Sequence, residues 1–344
     1  MTETKPSART RYIVSPQYDW AFFLLPPIVS LLLGILVSGS TFSDTPILLL
    51  GQEMTWAEIT LGALIHSHLV AVFFRSHRNK SIFPLYPARF IWIPLILWLA
   101  IASSLFVAVV ATVVATFWDV WHSGAQTFGF ARIYDRNAGV PPKEFRRLEF
   151  WMNQLLYAGP ILGGASMLAH VSSFDDFEDI GTTFFSAVPV AMEDNQSYLT
   201  IAILGIGTLV ALAYVAAHVR AYRQGIRVSK QKVFLVATTG LCSIYTWGFN
   251  TWGEAFFIMN LFHAVQYLAL VWATEKEQLH TRRDGSRHSK RRAAVGFFGV
   301  VAAYGILAQV ADPGLNGLWS LTIVVSLMHF WYDSFVWSVR KQQV

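Results

Sequence analysis

Long apolar runs broken by short polar segments set the pattern of this chain. WAFFLLPPIVSLLLGILV (20–37), FIWIPLILWLAIASSLFVAVVATVVATFW (90–118) and YLTIAILGIGTLVALAYVAA (198–217) carry almost no charge. A helix that crosses a bilayer takes about 20 predominantly apolar residues. A transmembrane β-barrel would instead show short segments of alternating polarity. The pattern predicts an all-α fold, a polytopic transmembrane helix bundle.

The second of these runs is too long for one crossing. Residues 90–132 as one helix would extend about 64 Å, twice the roughly 30 Å hydrocarbon core. A tight turn near 108–111 makes two spans of it, and the polar NTWGEA splits 233–273 in the same way. The expectation is ten spans, at 20–38, 56–74, 90–108, 111–132, 151–169, 199–218, 233–249, 255–273, 293–310 and 317–339. The first 19 residues are polar and hold Lys5, Arg9 and Arg11. No small-residue cleavage site follows, so an uncleaved first span is expected. No internal repeat stands out, and 1–344 reads as a single integral membrane domain with a basic linker at 279–292 (LHTRRDGSRHSKRR).

Charge sets the orientation. Basic residues gather at 75–89, 132–147, 220–232 and 276–292, whereas 171–198 carries Asp175, Asp176, Glu178, Asp179, Glu193 and Asp194 and no base. Lys and Arg mark cytoplasmic loops, so both termini and the 279–292 linker are expected inside, in a bacterial inner membrane. The same rule accounts for the net charge of +5. No nucleic-acid partner is implied, and membrane lipids are the surroundings. Composition agrees: 54% of residues are hydrophobic and mean hydropathy is +0.44. Only 14% are charged, against roughly a quarter in soluble domains. The single cysteine, Cys242, excludes an intramolecular disulfide.

The chemistry sits on the histidines. Of ten, His280 and His288 fall in the basic linker, His170 and His218 at span ends, and His77 in a loop just past the second span. The other five fall inside spans that all run inward. Arg75 follows His66 by nine residues and His68 by seven. Arg132 follows His122 by ten, Glu275 follows His263 by twelve and Arg340 follows His329 by eleven. At about 1.5 Å per residue these depths agree to within about one and a half turns, so four helices place imidazoles in one layer. In DVWHSGAQTFGF, Asp119, His122 and Gln126 share one helix face; Asn260 and Gln266 flank His263, and Asp333 follows His329 by four.

Ionisable groups at this depth cost several kcal/mol unless paired or ligating. No Lys or Arg lies at the depth of Asp119 or Asp333, and a metal cation would neutralise them. Imidazole with carboxylate is a ligand set for a transition metal such as iron, zinc or copper. The candidate ligands are His66, His68, His122, His263, His329, Asp119 and Asp333. Gln126, Asn260 and Gln266 would orient the imidazoles from behind. His66 and His68 are two apart and cannot share a helix face, so one of them is expected to face the cluster. Two other readings compete. Bis-histidine haem ligation, for instance by His122 and His263, would make an electron-transfer protein. A proton relay through Asp119, Asp333 and the histidines would make a proton-coupled transporter. Histidines in spans also serve as plain interhelical hydrogen-bonding groups.

Several histidines spread over several spans resemble, in class, the histidine-rich integral-membrane non-haem iron enzymes. These are the fatty-acid desaturases, the hydroxylases and the bacterial carotenoid-cleaving dioxygenases of the Brp/Blh type. The HxxxH and HxxHH boxes of desaturases are not present; the nearest approach is HSH, His66 to His68. The resemblance implies iron, with a di-iron pair as a variant. It also implies oxygen-dependent oxidation, desaturation or cleavage of a lipophilic small-molecule substrate. The sequence holds no motif for the electron donor.

Overall fold

The computed structural model describes residues 11–163, 195–250, 252–281, 289–310 and 316–337. It is mostly helical, and twelve α-helices are labelled here in chain order: α1 Pro16–Asp19, α2 Pro26–Val37, α3 Thr41–Asp44, α4 Trp56–Ser76, α5 Pro87–Ser103, α6 Leu105–Ala138, α7 Arg146–Gly163, α8 Gln196–Arg223, α9 Lys230–Phe249, α10 Trp252–His280, α11 Lys290–Gln309 and α12 Asn316–Val336. Among the described residues, five helical stretches are long and apolar enough to cross a membrane: Trp56–Ser76, Leu105–Ala138, Gln196–Arg223, Ala255–His280 and Lys290–Gln309. Pro16–Leu24 and Pro26–Val37, bent by 45°, make a sixth if they are one span. This is an integral membrane protein. The acidic residues expected outside, residues 282–288 of the 279–292 linker and His170 lie outside the described residues.

Local chemistry decides where the helices start. Thr55 and Glu58 form a reciprocal capping box on α4, with Glu58 N–H donating to Thr55 Oγ1 at 3.2 Å and Thr55 N–H to Glu58 Oε2 at 2.7 Å. Ser229 caps α9 and Ser289 caps α11. The long apolar run does break, but at Ser104 rather than at 108–111. Ser104 is extended (φ −143°, ψ 116°). Its carbonyl accepts from Ala108 N–H at 2.9 Å and its hydroxyl from Val107 N–H at 3.4 Å. A hydroxyl that satisfies orphan amides fixes the start of a helix, and 108–111 offers none. Helix α6 then continues to Ala138, where Gly139 stops it at φ 83°. The second split falls where NTWGEA lies, with α9 ending at Phe249 and α10 starting at Trp252.

One part of the fold is not helical. Ile47–Leu49 (β1) and Gln52–Met54 (β2) pair antiparallel, with Ile47 opposite Met54. Leu50 (φ 51°) and Gly51 (φ 86°) make the two-residue turn, which needs positive φ at both positions. An apolar Leu there gave no turn signal in the sequence.

The chain divides into two compact units. The first comprises Met1–Leu33 and Asp119–Met259. In it α7 packs against α8 and α9. Asp19, fully buried, anchors the segment before α1. It accepts from the amides of Ile13 and Val14 at 2.6 and 2.9 Å, and from Tyr134 Oη on α6 at 3.0 Å. The second comprises Gly34–Trp118 and Asn260–Val344. There α4 packs against α11 and α12, and α5 against α12. Its core gathers Ala71, Val72, Phe90, Tyr267, Phe297 and Tyr332, among others. The α4–α11 contact is backbone to backbone: a Cβ at Gly305 would strike the Ala63 carbonyl oxygen and Ser67 Oγ.

Candidate metal centre

Three imidazoles meet inside the second unit. His68 comes from α4, His263 from α10 and His329 from α12, and each is at most 1% exposed. One ring nitrogen from each lies within 4.8 Å of the others. Ring centroids are 5.0 Å apart for His68–His263 and for His68–His329, and 6.4 Å for His263–His329. The rings cross at 82°, 90° and 76°, so none stacks on another.

A simple calculation tests the fit to a metal. Ligand nitrogens at about 2.1 Å from a tetrahedral ion are about 3.4 Å apart. From separations of at most 4.8 Å, each nitrogen would move inward by no more than about 0.8 Å, within the reach of a χ rotation. The donor set is right for a transition ion as well: three neutral imidazoles from three rigid helices leave the remaining coordination positions open.

Asp333 lies beside this cluster, with a carboxylate oxygen within 4.8 Å of a His329 ring nitrogen. Its Oδ1 accepts from Tyr267 Oη at 2.7 Å and from Trp337 Nε1 at 2.8 Å. The Tyr267 ring packs on His329 at 4.4 Å. Arg75 lies over the Trp337 ring at 4.6 Å, and its NH1 donates to Glu275 Oε1 at 2.6 Å. Asn79 also donates to Glu275, at 2.9 Å to Oε2. Two donors hold its carboxylate, and the Arg75–Glu275 pair closes the same end of the unit. Sequence reasoning missed Tyr267, although it stands four residues after a candidate ligand, His263, and so on the same helix face.

The other candidates divide. His66 does not enter the cluster: two residues from His68 on α4, it points away, and its Nδ1 is buried with no hydrogen-bond partner among the described residues. Asn260 and Gln266 are buried on α10 either side of His263. Asp119, His122 and Gln126 lie on the part of α6 that belongs to the first unit; His122 is buried and the other two are half-buried. His77 caps the end of α4 outside the cluster. Its Nε2 bonds the Phe90 carbonyl at 2.9 Å and its ring stacks on Phe73 at 4.7 Å.

An apolar wall adjoins the histidines. Leu69, Val325 and Phe330 are buried together, with Trp118 and Tyr304 against them. The architecture therefore defines a helical membrane protein with a buried tri-histidine cluster. Protein-family models, curated proteins and solved structures were compared with the chain, and none matches.

Proposed function

We propose that this protein is a membrane metalloenzyme in which His68, His263 and His329 hold a transition-metal ion, iron in the first instance, and that it oxidises a lipophilic substrate. The observation that carries the reading is the convergence of three buried imidazole nitrogens, from three different helices, to within 4.8 Å. Bringing three imidazoles out of water to one point costs stability, and it builds the donor set that a transition ion takes. A bound metal uses all three at once.

The residues divide the work. The three imidazoles bind and orient the ion. Tyr267 and Trp337 hold Asp333 beside His329, where a carboxylate fixes ring orientation and basicity. Leu69, Val325 and Phe330 keep the neighbourhood dry, which protects a reactive centre from water. When bound, a redox-active ion would supply oxygen activation. In this reading the chain crosses a bacterial inner membrane ten times with both termini inside, supported by the basic segments between apolar runs. The substrate then enters sideways from the lipid, and electrons come from a separate donor. The nuclearity could rise to two if other candidate ligands join.

The test is elemental analysis with an absorption spectrum on detergent-purified protein, repeated on His68→Ala, His263→Ala, His329→Ala and His66→Ala. About one equivalent of iron is expected in the wild type and in His66→Ala, with loss in the other three. Zinc alone would keep the site and remove the oxidative chemistry. A Soret band would replace the reading by haem ligation. No iron, zinc or copper in folded wild-type protein would sink it.

A further inference from the structure

The first unit buries a second set of titratable groups, at the end of α6, α8 and the start of α7, α9. Lys232 Nζ donates to Asp135 Oδ2 at 2.9 Å, to Glu149 Oε2 at 3.0 Å and to His218 Nε2 at 3.0 Å. An accepting Nε2 puts the imidazole proton on Nδ1, which donates to the Tyr214 carbonyl at 2.8 Å. Arg132 NH1 also donates to Asp135 Oδ2, at 2.9 Å, and Tyr214 Oη donates to Glu149 Oε1 at 2.8 Å. Lys232, Asp135 and Glu149 are wholly buried. The α6–α7 loop closes over them. Arg132 binds the carbonyls of Pro142 and Glu144, each at 2.9 Å. Phe145, held at φ 58°, lays its ring on His218 at 4.2 Å. A residue with a Cβ takes that conformation only where its surroundings enforce it.

Two cations and two carboxylates, with a neutral imidazole, balance to zero. All three protons of Lys232 and both oxygens of Glu149 are engaged, and Asp135 Oδ2 takes two donors. Asp135 Oδ1 is buried and takes none among the described residues. A buried carboxylate oxygen without a donor costs more than a kcal/mol, so a water or a proton belongs there.

A polar stripe leads away from it. On α9, Lys232, Thr239, Ser243 and Thr246 are spaced i, i+7, i+11 and i+14, one helix face, and all four are at most 1% exposed. Serines and threonines in apolar helices ordinarily bond the carbonyl one turn back. Thr238 does so, to Phe234 at 2.9 Å. Thr239 Oγ1 and Ser243 Oγ do not; both are buried with no hydrogen-bond partner among the described residues. On the facing α7, Glu149, Asn153 and Tyr157 are among the buried positions, and Tyr157 Oη lies 3.2 Å from Thr127 Oγ1 of α6. From Lys232 to Thr246 the stripe rises about 21 Å, most of a roughly 30 Å hydrocarbon core.

We propose that the first unit is a proton path, in which water on the bare hydroxyls of Thr239 and Ser243 leads to Asp135, whose Oδ1 binds and releases the proton. The step is an acid–base one: a hydronium in the path gives its proton to the carboxylate, an O–H bond forms on Oδ1, water is left, and the cluster goes from zero to +1. Lys232 and Arg132 both donate to Oδ2, so a proton on Oδ1 sits beside two positive charges and is readily given up. Glu149, His218 and Tyr214 complete the groups that face it. Buried unsatisfied polar groups lined up in a membrane helix are where ordered water sits and where protons pass. This inference stands independently of the metal centre.

The test is proton flux into liposomes holding the full chain, driven by a potassium gradient with valinomycin and read by a trapped pH dye. Wild-type vesicles should acidify at least tenfold faster than protein-free ones. Asp135→Asn should lose that excess, and Thr239→Val, isosteric and without the hydroxyl, should cut it several-fold. Circular dichroism and gel filtration establish that each variant is folded. Wild-type flux equal to empty vesicles, or folded Asp135→Asn and Thr239→Val conducting like the wild type, would overturn the proposal.

Discussion

Replacing Lys232 by methionine tests the charge cluster most directly, because methionine keeps the length of the side chain and removes only the ammonium. Three hydrogen bonds go at once, to Asp135, Glu149 and His218, at 2.9, 3.0 and 3.0 Å. The remaining partners then decide where the damage falls. Asp135 keeps Arg132, with NH1 2.9 Å from Oδ2. Among the described residues Glu149 keeps no cation beside it: its partners are the Tyr214 hydroxyl and the imidazole of His218, Nε2 at 3.9 Å. Glu149 is therefore the charge left stranded, in a place with no exposure to water. Removing one partner of a buried ion pair costs about 3–5 kcal/mol. Restoring neutrality should return most of it, since a buried pair replaced as a whole is often near neutral in stability.

The prediction is accordingly a double-mutant cycle. Lys232→Met alone should lose about 3–5 kcal/mol. Adding Glu149→Gln, whose amide still accepts from Tyr214 and carries no charge, should recover at least about 2 kcal/mol, an interaction energy within the range of contacting residues. Unfolding is followed by far-ultraviolet circular dichroism in mixed micelles titrated with dodecyl sulfate. A single variant within about 1 kcal/mol of wild type would refute the reasoning, since an exposed pair contributes no more. So would a double variant no better than the single one, because the penalty would then not be a stranded charge.

Three further outcomes follow from other parts of the molecule. Gly305→Ala drives a methyl into the Ala63 carbonyl and Ser67 Oγ, so α4 and α11 must part, at about 1–3 kcal/mol or more. Gly299→Ala on the same helix meets nothing within 4 Å and should be neutral or slightly stabilising, both variants being read by the same dodecyl sulfate titration. Glu275→Ala removes the carboxylate to which Arg75 and Asn79 donate in the second unit and should cost about 3–5 kcal/mol by the same denaturant titration, whereas a change under about 1 kcal/mol would mean the pair is hydrated. His77 gives a pH dependence: burial pushes its pKa below 6.5, against the pull of the Phe90 carbonyl. The unfolded chain therefore binds a proton below about pH 6.5 that the folded chain refuses, and stability present above that pH falls as pH drops through it. His77→Gln should flatten that fall in melting temperature between pH 7 and 5, and an unchanged slope would assign the effect elsewhere.

Much of the fold was legible because its signals are local and repeated. Apolar runs of bilayer length give helices whatever surrounds them, and a run twice that length must turn. The position of the turn was less legible. Length places it anywhere near the middle of 90–132, but the hydroxyl of Ser104 chooses the residue. The hairpin at Ile47–Leu49 and Gln52–Met54 could not be read, because its turn places Leu50 at positive φ where no Asn, Asp or second Gly announces it. Packing in a membrane also hides from composition. Helices α4 and α11 meet through Gly305, and a lone glycine in an apolar run says nothing about which helix it touches.

The site divides along the same line. Counting residues from a polar boundary placed His68, His263 and His329 at one depth, and depth is a quantity a sequence can carry when helices are straight. Which face each imidazole takes is a matter of helix rotation, and there the i, i+2 spacing separated His66 from His68 without choosing between them. The counter-charges were read from the wrong feature. Basic residues near helix ends were all assigned to topology, exposed ones such as Arg223 and buried ones alike. Lys232 and Arg75 look the same in the sequence, yet the fold buries both. What distinguishes them is the carboxylate that waits across the helix contact: Asp135 and Glu149 for Lys232, Glu275 for Arg75. These pairs are separated by 97, 83 and 200 residues. A charge inside an apolar bundle is therefore best judged with every carboxylate at its own end of the membrane in view. By that rule His218, passed over as the end of a span, would have drawn notice from Glu149, Lys232 and Asp135, all within a turn or two of their own helix ends on the same basic side.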